Sequence, residues 1–176
     1  MKPGAALGHA KRAAEFMALI HGNLYPDHSV SVIRCFSFSG PAMPLNLHYA
    51  IGNFVQAAST GQPIIVRSNG SATRSFMHMG DMTTWLLQAL AIAPPGCFMN
   101  FGSEHGLSIL QLAELVQRTS KQAVPIQVMG SHEGSPSTSA SSSYVPSTFF
   151  TRGALEVDEW TTLEESVNRW IEFLRQ

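Results

Sequence analysis

The sequence predicts an α/β fold, because short apolar runs rich in β-branched residues alternate with segments of helical periodicity. Strand-like runs occur at 29–38, 64–66, 97–101 and 124–129. Helical patterns occur at 8–21, 48–59, 81–90, 108–116 and 161–176. Turn-forming Gly and Pro residues separate many of these segments, and no internal repeat is present. We therefore expect strands and helices to follow one another along most of the chain.

Several predicted helices have boundary signals of their own. Gly22 is expected to be the C-cap of the first helix, and Gly61 is expected to stop the second. Ser108 and Thr162 each open a sequence of the capping-box form. Asp81 is placed to cap a further helix. The apolar face of that helix is predicted to contain Trp85, Leu86, Ala89 and Leu90.

Length and composition exclude several classes of protein. The 176 residues are enough for one substantial core or two small ones, and 44% are hydrophobic whereas 13% are charged. A net charge of −1 without clustered Lys and Arg argues against nucleic acid as a partner. No apolar run reaches the roughly 20 residues of a membrane span. No export signal is recognisable, so we expect a cytoplasmic protein.

Two compositional features have alternative interpretations. Cys35 and Cys97 each lie in an apolar run, where a buried reduced cysteine is more common than a disulfide or a metal ligand. The segment 131–143 is rich in Ser and is expected to be a loop or lid. A phosphorylated tail is the alternative, although ordered-looking sequence resumes after it.

The segment 64–89 contains the strongest local candidate for ligand binding. A β-branched run at 64–66 leads to a turn at Asn69-Gly70, and Arg74 follows just before an alternating apolar segment. An arginine at the start of a strand and close to a helix suits a phosphate or carboxylate. A solvated or ion-paired arginine is the alternative on local chemistry.

Five segments resemble, in order and spacing, the second half of an extended short-chain dehydrogenase/reductase. GHAKRAAEF resembles the helix that carries a Tyr-x-x-x-Lys motif, and VIRCFSFSGP resembles the following strand, usually Arg-x-Phe-Asn-x-Tyr-Gly-Pro. The segment 50–82 resembles a helix, a Gly-x-Pro turn and an Arg-x-Phe-x-x-Val-x-Asp motif. FGSEHGLSILQLAELV and the segment 144–176 resemble the later strand–helix unit and the terminal region. The chain is thus similar to NAD-dependent nucleotide-sugar epimerases/dehydratases, including dTDP-glucose 4,6-dehydratase-like and UDP-glucuronate decarboxylase-like members.

This resemblance implies a division of the chain into two parts. Residues 1–41 would be a remnant of the Rossmann-type parallel sheet, with its catalytic helix and the strand that follows. Residues 42–176 would form the small α/β substrate-binding region, with the chain crossing back to the sheet around 94–101 and the Ser-rich loop at 131–143. The sequence contains no Gly-x-Gly-x-x-Gly turn after a strand, so it lacks a dinucleotide fingerprint of its own.

The resemblance also implies a catalytic and cofactor side. In the family a tyrosinate removes a proton from a sugar hydroxyl while the same carbon gives hydride to NAD, and the lysine lowers the tyrosine pKa. Lys11 corresponds to that lysine, but Leu7 stands where the tyrosine belongs. Lys11 and Cys35 are the implied cofactor-binding residues. NAD is expected in the parent family but not on this chain alone.

Substrate-side residues are implied in the same way. Arg74 corresponds to the arginine that holds the nucleotide diphosphate, and Ser37 corresponds to an asparagine that touches the substrate. Asn53 lies where related decarboxylases line the sugar-nucleotide pocket, although packing or capping would also suit it. Val66 lies on the strand that passes the nucleotide base, and Arg67 stands where an aromatic residue is usual.

Other positions depart from the family pattern or vary within it. Serines at 141–143 occupy the region where a second diphosphate-binding arginine is expected, which predicts weaker nucleotide affinity. His9 and His78 are expected to be structural or solvated.

Three hypotheses follow. The chain is a UDP- or dTDP-sugar-binding portion of an enzyme that lacks its NAD-binding half, and is expected to be a homodimer. Alternatively, it is a degenerate module that dimerises through surface normally covered by the NAD domain. The third and weakest hypothesis is an active enzyme with His9 as its base.

Overall fold

Six helices alternate with short strands in this protein, whose computed structural model describes residues 5–45, 47, 49–130 and 142–176. The helices are α1 (Ala6–Leu24), α2 (Ala50–Ser59), α3 (Met79–Ile92), α4 (Ile109–Ser120), α5 (Phe149–Leu155) and α6 (Leu163–Leu174). The strands are β1 (Val32–Cys35), β2 (Phe38–Ser39), β3 (Ile64–Val66), β4 (Thr73–Arg74), β5 (Met77–His78), β6 (Phe98–Phe101), β7 (Leu107–Ser108), β8 (Ile126–Val128) and β9 (Ser143–Tyr144).

Most strand pairs are parallel. β1 pairs with β6, β2 with β5, and β3 with β8, all in parallel. The remaining sheet has the order β7-β4-β9, in which β4 is antiparallel to β7 and parallel to β9. Parallel pairs joined through helices confirm the predicted α/β class.

Two clusters of buried apolar side chains hold these elements together. The first core lies where α2, α4, α6 and β3 meet, and it includes Phe54, Val66, Leu112 and Trp170. The second core joins α3, α5 and β6, and β1 and β2 contribute partly buried side chains to it. Its largest members are Trp85 and Phe101, whose rings pack edge to face at 5.5 Å.

Helix α1 differs from the prediction in length and in burial. It continues to Leu24, with Tyr25 as its C-cap, so Gly22 lies inside the helix. A Cβ at Gly22 would lie 3.1 Å from Cβ of Val30, so the glycine lets the returning chain pass close to the helix. No residue of α1 is buried, because among the described elements the helix packs chiefly on β1. Its apolar stripe, including Met17, is therefore exposed.

The run 29–38, predicted as one internal strand, forms two short strands. Phe36 and Ser37 separate β1 from β2, and the two strands pair with different partners. The prediction that Cys35 is buried was also wrong, because the residue is exposed at the carboxyl end of β1. Cys97 is half-buried, and both cysteines are free thiols.

The sequence predicted that Asp81 caps α3, and the structure shows that it does not. The helix begins at Met79 with His78 as its N-cap, and Asp81 lies in the first turn. The buried Asp81 carboxylate accepts hydrogen bonds from the backbone N–H groups of Trp160 (3.1 Å) and Thr161 (2.9 Å). It thus fixes the loop before α6.

The predicted apolar face of α3 is confirmed only in part. Trp85 and Ala89 are buried, but Leu90 is 85% exposed and Leu86 is 38% exposed. The second core covers only a narrow stripe of this helix, and the rest of its apolar surface faces outward.

Other boundary predictions are confirmed. Ser108 and Gln111 form a complete capping box at α4, and Thr162 accepts a hydrogen bond from the backbone of Glu165 at α6. Helix α2 buries the expected apolar face, including Ile51. Residues 131–141 of the predicted Ser-rich loop lie outside the described residues. Across the part of the chain that the structure describes, no helix has the length and apolar content needed to cross a membrane.

A buried polar network connects α6 to β2 and β5. His78 Nδ1 lies 2.8 Å from Ser166 Oγ, which in turn lies 2.8 Å from Ser39 Oγ. Burial is the main reason that the pKa of His78 is lowered from its ordinary value of 6.5, and Arg169 adds to the effect while Asp81 opposes it. His78 is therefore a neutral, structural histidine.

We expect this network to make stability sensitive to acid. The folded state holds His78 with a lowered pKa, so below about pH 6.5 the unfolded chain binds more protons and stability falls. Urea unfolding at pH 7.5 and 5.5 measures the loss. His78→Gln should cost about 1–3 kcal/mol at pH 7.5, because it disturbs the buried hydrogen bond, and should shrink the difference between the two pH values.

His105→Gln, at an exposed histidine, is the matched control and should retain the full difference. If the free energy of unfolding fell by the same amount between pH 7.5 and 5.5 in the His78 variant and in the wild type, this role for His78 would be contradicted.

Candidate active site and nucleotide pocket

The guanidinium of Arg74 is held in place at the centre of the candidate site. Arg74 is half-buried on β4, and its Nη1 donates hydrogen bonds to the carbonyl oxygens of Thr73 and Ser142, both at 2.7 Å. Its Cζ lies 5.9 Å from the centroid of the Tyr144 ring, within range of a cation–π contact. Backbone carbonyls and an aromatic face thus orient the side chain.

No carboxylate in the described residues forms an ion pair with Arg74. The four ion pairs found there involve Arg34, Arg118, Arg152 and Arg169 instead. A half-buried guanidinium that contacts only neutral acceptors keeps its positive charge uncompensated. Such a group is suited to bind an anion, and its planar donors match phosphate oxygens well. The alternative of a structurally ion-paired Arg74 is not found among these residues.

The backbone of Ser37 is paired with the chain just beyond Arg74. Its carbonyl oxygen accepts a hydrogen bond from the backbone N–H of Met77 at 3.0 Å, three residues beyond Arg74. The neighbouring Phe36 ring stacks on Tyr144 with centroids 4.6 Å apart. The contacts from Phe36 to Tyr144 and from Tyr144 to Arg74 therefore link the segment that contains Ser37 to Arg74.

An open cleft of about 450 Å³ lies between α2, β3 and the start of α4. Its wall contains Asn53 from α2, Ile65 and Arg67 from the region of β3, and Ile109 from α4. This places Asn53 at the pocket wall and leaves its side chain exposed, so packing in the core does not explain it.

Val66 requires a correction. Side chains alternate along β3, so Val66 is fully buried in the first core while Ile65 and Arg67 face the cleft. The side chain of Val66 is buried away from the cleft, and those of its two neighbours line the cleft instead.

A short segment connects the cleft to Arg74. The backbone N–H of Ile109, which lines the cleft, donates to the carbonyl of Ala72 at 3.0 Å, and Leu110 donates to Gly70 at 3.1 Å. Gly70 has a φ of +76°, and an added Cβ would lie 2.9 Å from Cβ of Leu110. Glycine is required here for the turn to pack on α4.

The two residues of the predicted catalytic motif lie on α1. Leu7 and Lys11 are one helical turn apart on α1, so the spacing of the motif is kept. Leu7 is 71% exposed and Lys11 is also exposed. Among the described residues, no hydrogen bond connects Lys11 with the Arg74 group. Cys35 is exposed at the end of β1, and partial burial of its thiol raises its pKa, so it remains protonated and weakly nucleophilic near neutral pH.

The residues of this chain do not complete a site for NAD. Leu7, which the resemblance places where the base belongs, offers only hydrocarbon, and the sequence has no glycine turn for a pyrophosphate. We therefore assign no proton or hydride transfer to the groups present here. The roles of Lys11 and Cys35 toward a cofactor stay predictions.

Comparison with known proteins identifies the family. Residues 1–102 match the family model described as the NAD dependent epimerase/dehydratase family. The chain belongs to this family.

Two curated relatives illustrate the match. The chain is 26% identical over 174 residues to UDP-glucuronic acid decarboxylase 1 of Xenopus tropicalis, covering 99% of the chain and 40% of the relative. It is 29% identical over 126 residues to UDP-glucuronic acid decarboxylase 4 of Arabidopsis thaliana, covering 72% of the chain and 28% of the relative. The chain thus spans less than half of either relative.

Solved structures of the epimerase/dehydratase type share the fold. UDP-glucose 4-epimerase of Thermotoga maritima has a TM-score of 0.83 at 17% identity, with 96% of this chain and 52% of that chain covered. dTDP-glucose 4,6-dehydratase of Bacillus anthracis has a TM-score of 0.80 at 17% identity, with 99% and 53% covered. These matches support the predicted Rossmann-like class.

Sequence reasoning missed the aromatic pair beside Arg74, in which the Tyr144 ring faces the guanidinium and Phe36 stacks on Tyr144. Phe36 and Tyr144 lie more than a hundred positions apart, and nothing in their spacing indicates a contact. It also missed that Ile65 lines the cleft. Side chains alternate along β3, so this position could have been predicted once Val66 was known to be buried.

Gly70→Ala is expected to destabilise the protein by about 1–3 kcal/mol, because alanine would be strained at positive φ and would press on Leu110. Gly96 has a similar φ of +74° with no atom within 4 Å of an added Cβ. Gly96→Ala is thus a control for strain alone and should cost less. Equal losses in the two variants, measured by urea unfolding, would show that the contact with α4 is unimportant.

Proposed function

We propose that this chain is the nucleotide-sugar-binding portion of an NAD-dependent nucleotide-sugar epimerase or dehydratase. The ligand would be a UDP- or dTDP-sugar, with its diphosphate on Arg74. Family membership supports the class of ligand. The observation that carries the proposal is the oriented guanidinium of Arg74, which no described carboxylate neutralises.

The surrounding residues would have separate roles. The cleft would hold the nucleotide base, with the Asn53 amide and the Arg67 guanidinium supplying hydrogen bonds and Ile65 an apolar wall. Ser37 would offer its hydroxyl to the sugar. Since the segment 70–74 runs from the cleft wall to Arg74, one ligand could extend from the base site to the diphosphate site.

Catalysis would require groups that this chain does not supply. Leu7 cannot remove a proton, so a base and an NAD-binding half would have to come from residues outside this sequence. Within this proposal, 1–41 belongs with the NAD-binding half and 42–176 is the substrate region. A cytoplasmic location and a homodimer complete the proposal, and the chain alone would be inactive.

A second candidate function rests on the exposed surface of α1. Leu7, Phe16 and Met17 are 71%, 65% and 69% exposed, and a helix with this much apolar surface favours association. The chain would then be a degenerate, non-catalytic module that dimerises through α1. Sedimentation of the wild type against Met17→Glu tests this candidate, because a charge in the interface should dissociate the dimer.

Calorimetry with UDP-glucose, UDP-glucuronic acid, dTDP-glucose and NAD tests the main proposal. We expect at least one sugar nucleotide to bind and Arg74→Ala to weaken it at least tenfold, because charge-assisted hydrogen bonds contribute about 1.5–3 kcal/mol. Arg74→Lys keeps the charge and should lose less. Arg118→Ala, at an exposed arginine on α4, is the control and should bind as the wild type does.

Failure of all three sugar nucleotides to bind would contradict the main proposal. If the chain were nonetheless a dimer that Met17→Glu dissociates, the second candidate would be favoured.

A further inference from the structure

A second cleft, of about 850 Å³, lies between α5 and the loop that leads to α6. Three aromatic side chains line it: Phe149, Phe150 and Trp160, which are 87%, 53% and 59% exposed. Single exposed aromatic residues are ordinary on protein surfaces. Three that line one cleft are typical of recognition surfaces, where Trp and Phe are common anchors.

The fold holds the walls of this cleft in place. The backbone N–H of Trp160 is bound by the buried Asp81 carboxylate at 3.1 Å. Arg152 on α5 and Asp158 in the loop after it form an ion pair at 2.7 Å, which joins the helix to the loop. Walls that are already ordered lose little conformational entropy when a ligand binds.

The charges that line the cleft are unbalanced. Glu104, Glu156 and Asp158 contribute three carboxylates, while Arg152 is the one cationic lining residue and is paired with Asp158. The lining therefore has an excess of two negative charges beside exposed aromatic rings. Guanidinium groups suit this combination, because they bind carboxylates with two donors and stack on aromatic faces.

We propose that this cleft is a docking site for an arginine-bearing, apolar segment of another polypeptide. An apolar side chain of the partner fills the space beside Phe149 and Trp160, and an arginine binds Glu156 and stacks on the exposed ring of Phe149. A neutral oligosaccharide would stack on the rings but would leave the excess negative charge uncompensated. This cleft shares no lining residue with the cleft between α2, β3 and α4, so each proposal can be tested independently of the other.

Tryptophan fluorescence offers a readout specific to the cleft. Of the three tryptophans, Trp85 and Trp170 are buried and only Trp160 is exposed. Acrylamide quenching of the full chain therefore reports mainly on Trp160. We expect the peptide acetyl-(Arg-Leu)4-amide to protect this residue in a saturable way. The same peptide with citrulline in place of arginine keeps the shape and loses the charge, and should bind at least tenfold more weakly.

Two variants of the cleft test the contacts independently. Phe149→Ser and Glu156→Gln should each weaken the peptide at least fivefold. Phe173→Ser and Glu114→Gln remove an exposed ring and an exposed charge outside the cleft, and should stay within twofold of the wild type.

Several outcomes would overturn the proposal. These are equal binding of the citrulline peptide, protection that Phe149→Ser leaves unchanged, and the absence of protection. Protection by maltohexaose but not by the arginine peptide would indicate a sugar site. Protection that rises with protein concentration alone would indicate a second copy of the chain.

Discussion

The contact of Arg74 with the carbonyl of Ser142 is the interaction on which the candidate site depends. It joins β4 to the chain just before β9, and Tyr144 then carries the contact to Phe36 ahead of β2. Three distant parts of the sequence are therefore joined by successive contacts that begin at one guanidinium. Because its partners are carbonyls and a ring, the charge that organises this region stays available to an anion.

The contacts of this side chain are unevenly divided between its donors. Its Nη1 is committed to the backbone of Thr73 and Ser142, whereas the other donors of the fork have no equally short contact among the described residues. A guanidinium held from one side is oriented for a ligand at the other. This arrangement limits the entropy lost on binding.

The two ends of the chain are buried to very different degrees. Around α2, α4 and α6 the apolar faces are enclosed, and residues such as Val55, Leu112 and Val167 have no exposed surface. Helix α1 has no buried residue, and β1 pairs only with β6 among the described strands. This end of the chain therefore presents exposed apolar surface, above all on α1.

Much of the fold could be predicted because it depends on local signals. The capping box at Ser108 and the apolar spacing of α2 act within a few residues, and both were predicted correctly. The family resemblance rests on the order of such segments. The match of residues 1–102 to the family model confirms it.

Predictions failed where the outcome depends on a partner elsewhere in the chain. Periodicity places Leu90 on the apolar face of α3. It does not indicate that the second core ends before Leu90 and leaves its side chain exposed. Apolar residues recur along the whole run 29–38, and the run is divided because its two halves pair with different strands. For Asp81 the local signal was real, but the buried carboxylate binds a loop some eighty residues away.

The most direct measurement of the central claim is the affinity of Ser142→Arg for UDP. Ser142 contacts Arg74, and its hydroxyl lies in the region where the family resemblance implies a second arginine. The backbone carbonyl that holds Arg74 is kept in the variant. If Arg74 binds the diphosphate, a second guanidinium there should tighten UDP binding roughly three- to tenfold, and the gain should largely disappear in the Arg74→Ala background. Unchanged or weaker binding by Ser142→Arg, or an equal gain without Arg74, would contradict the account.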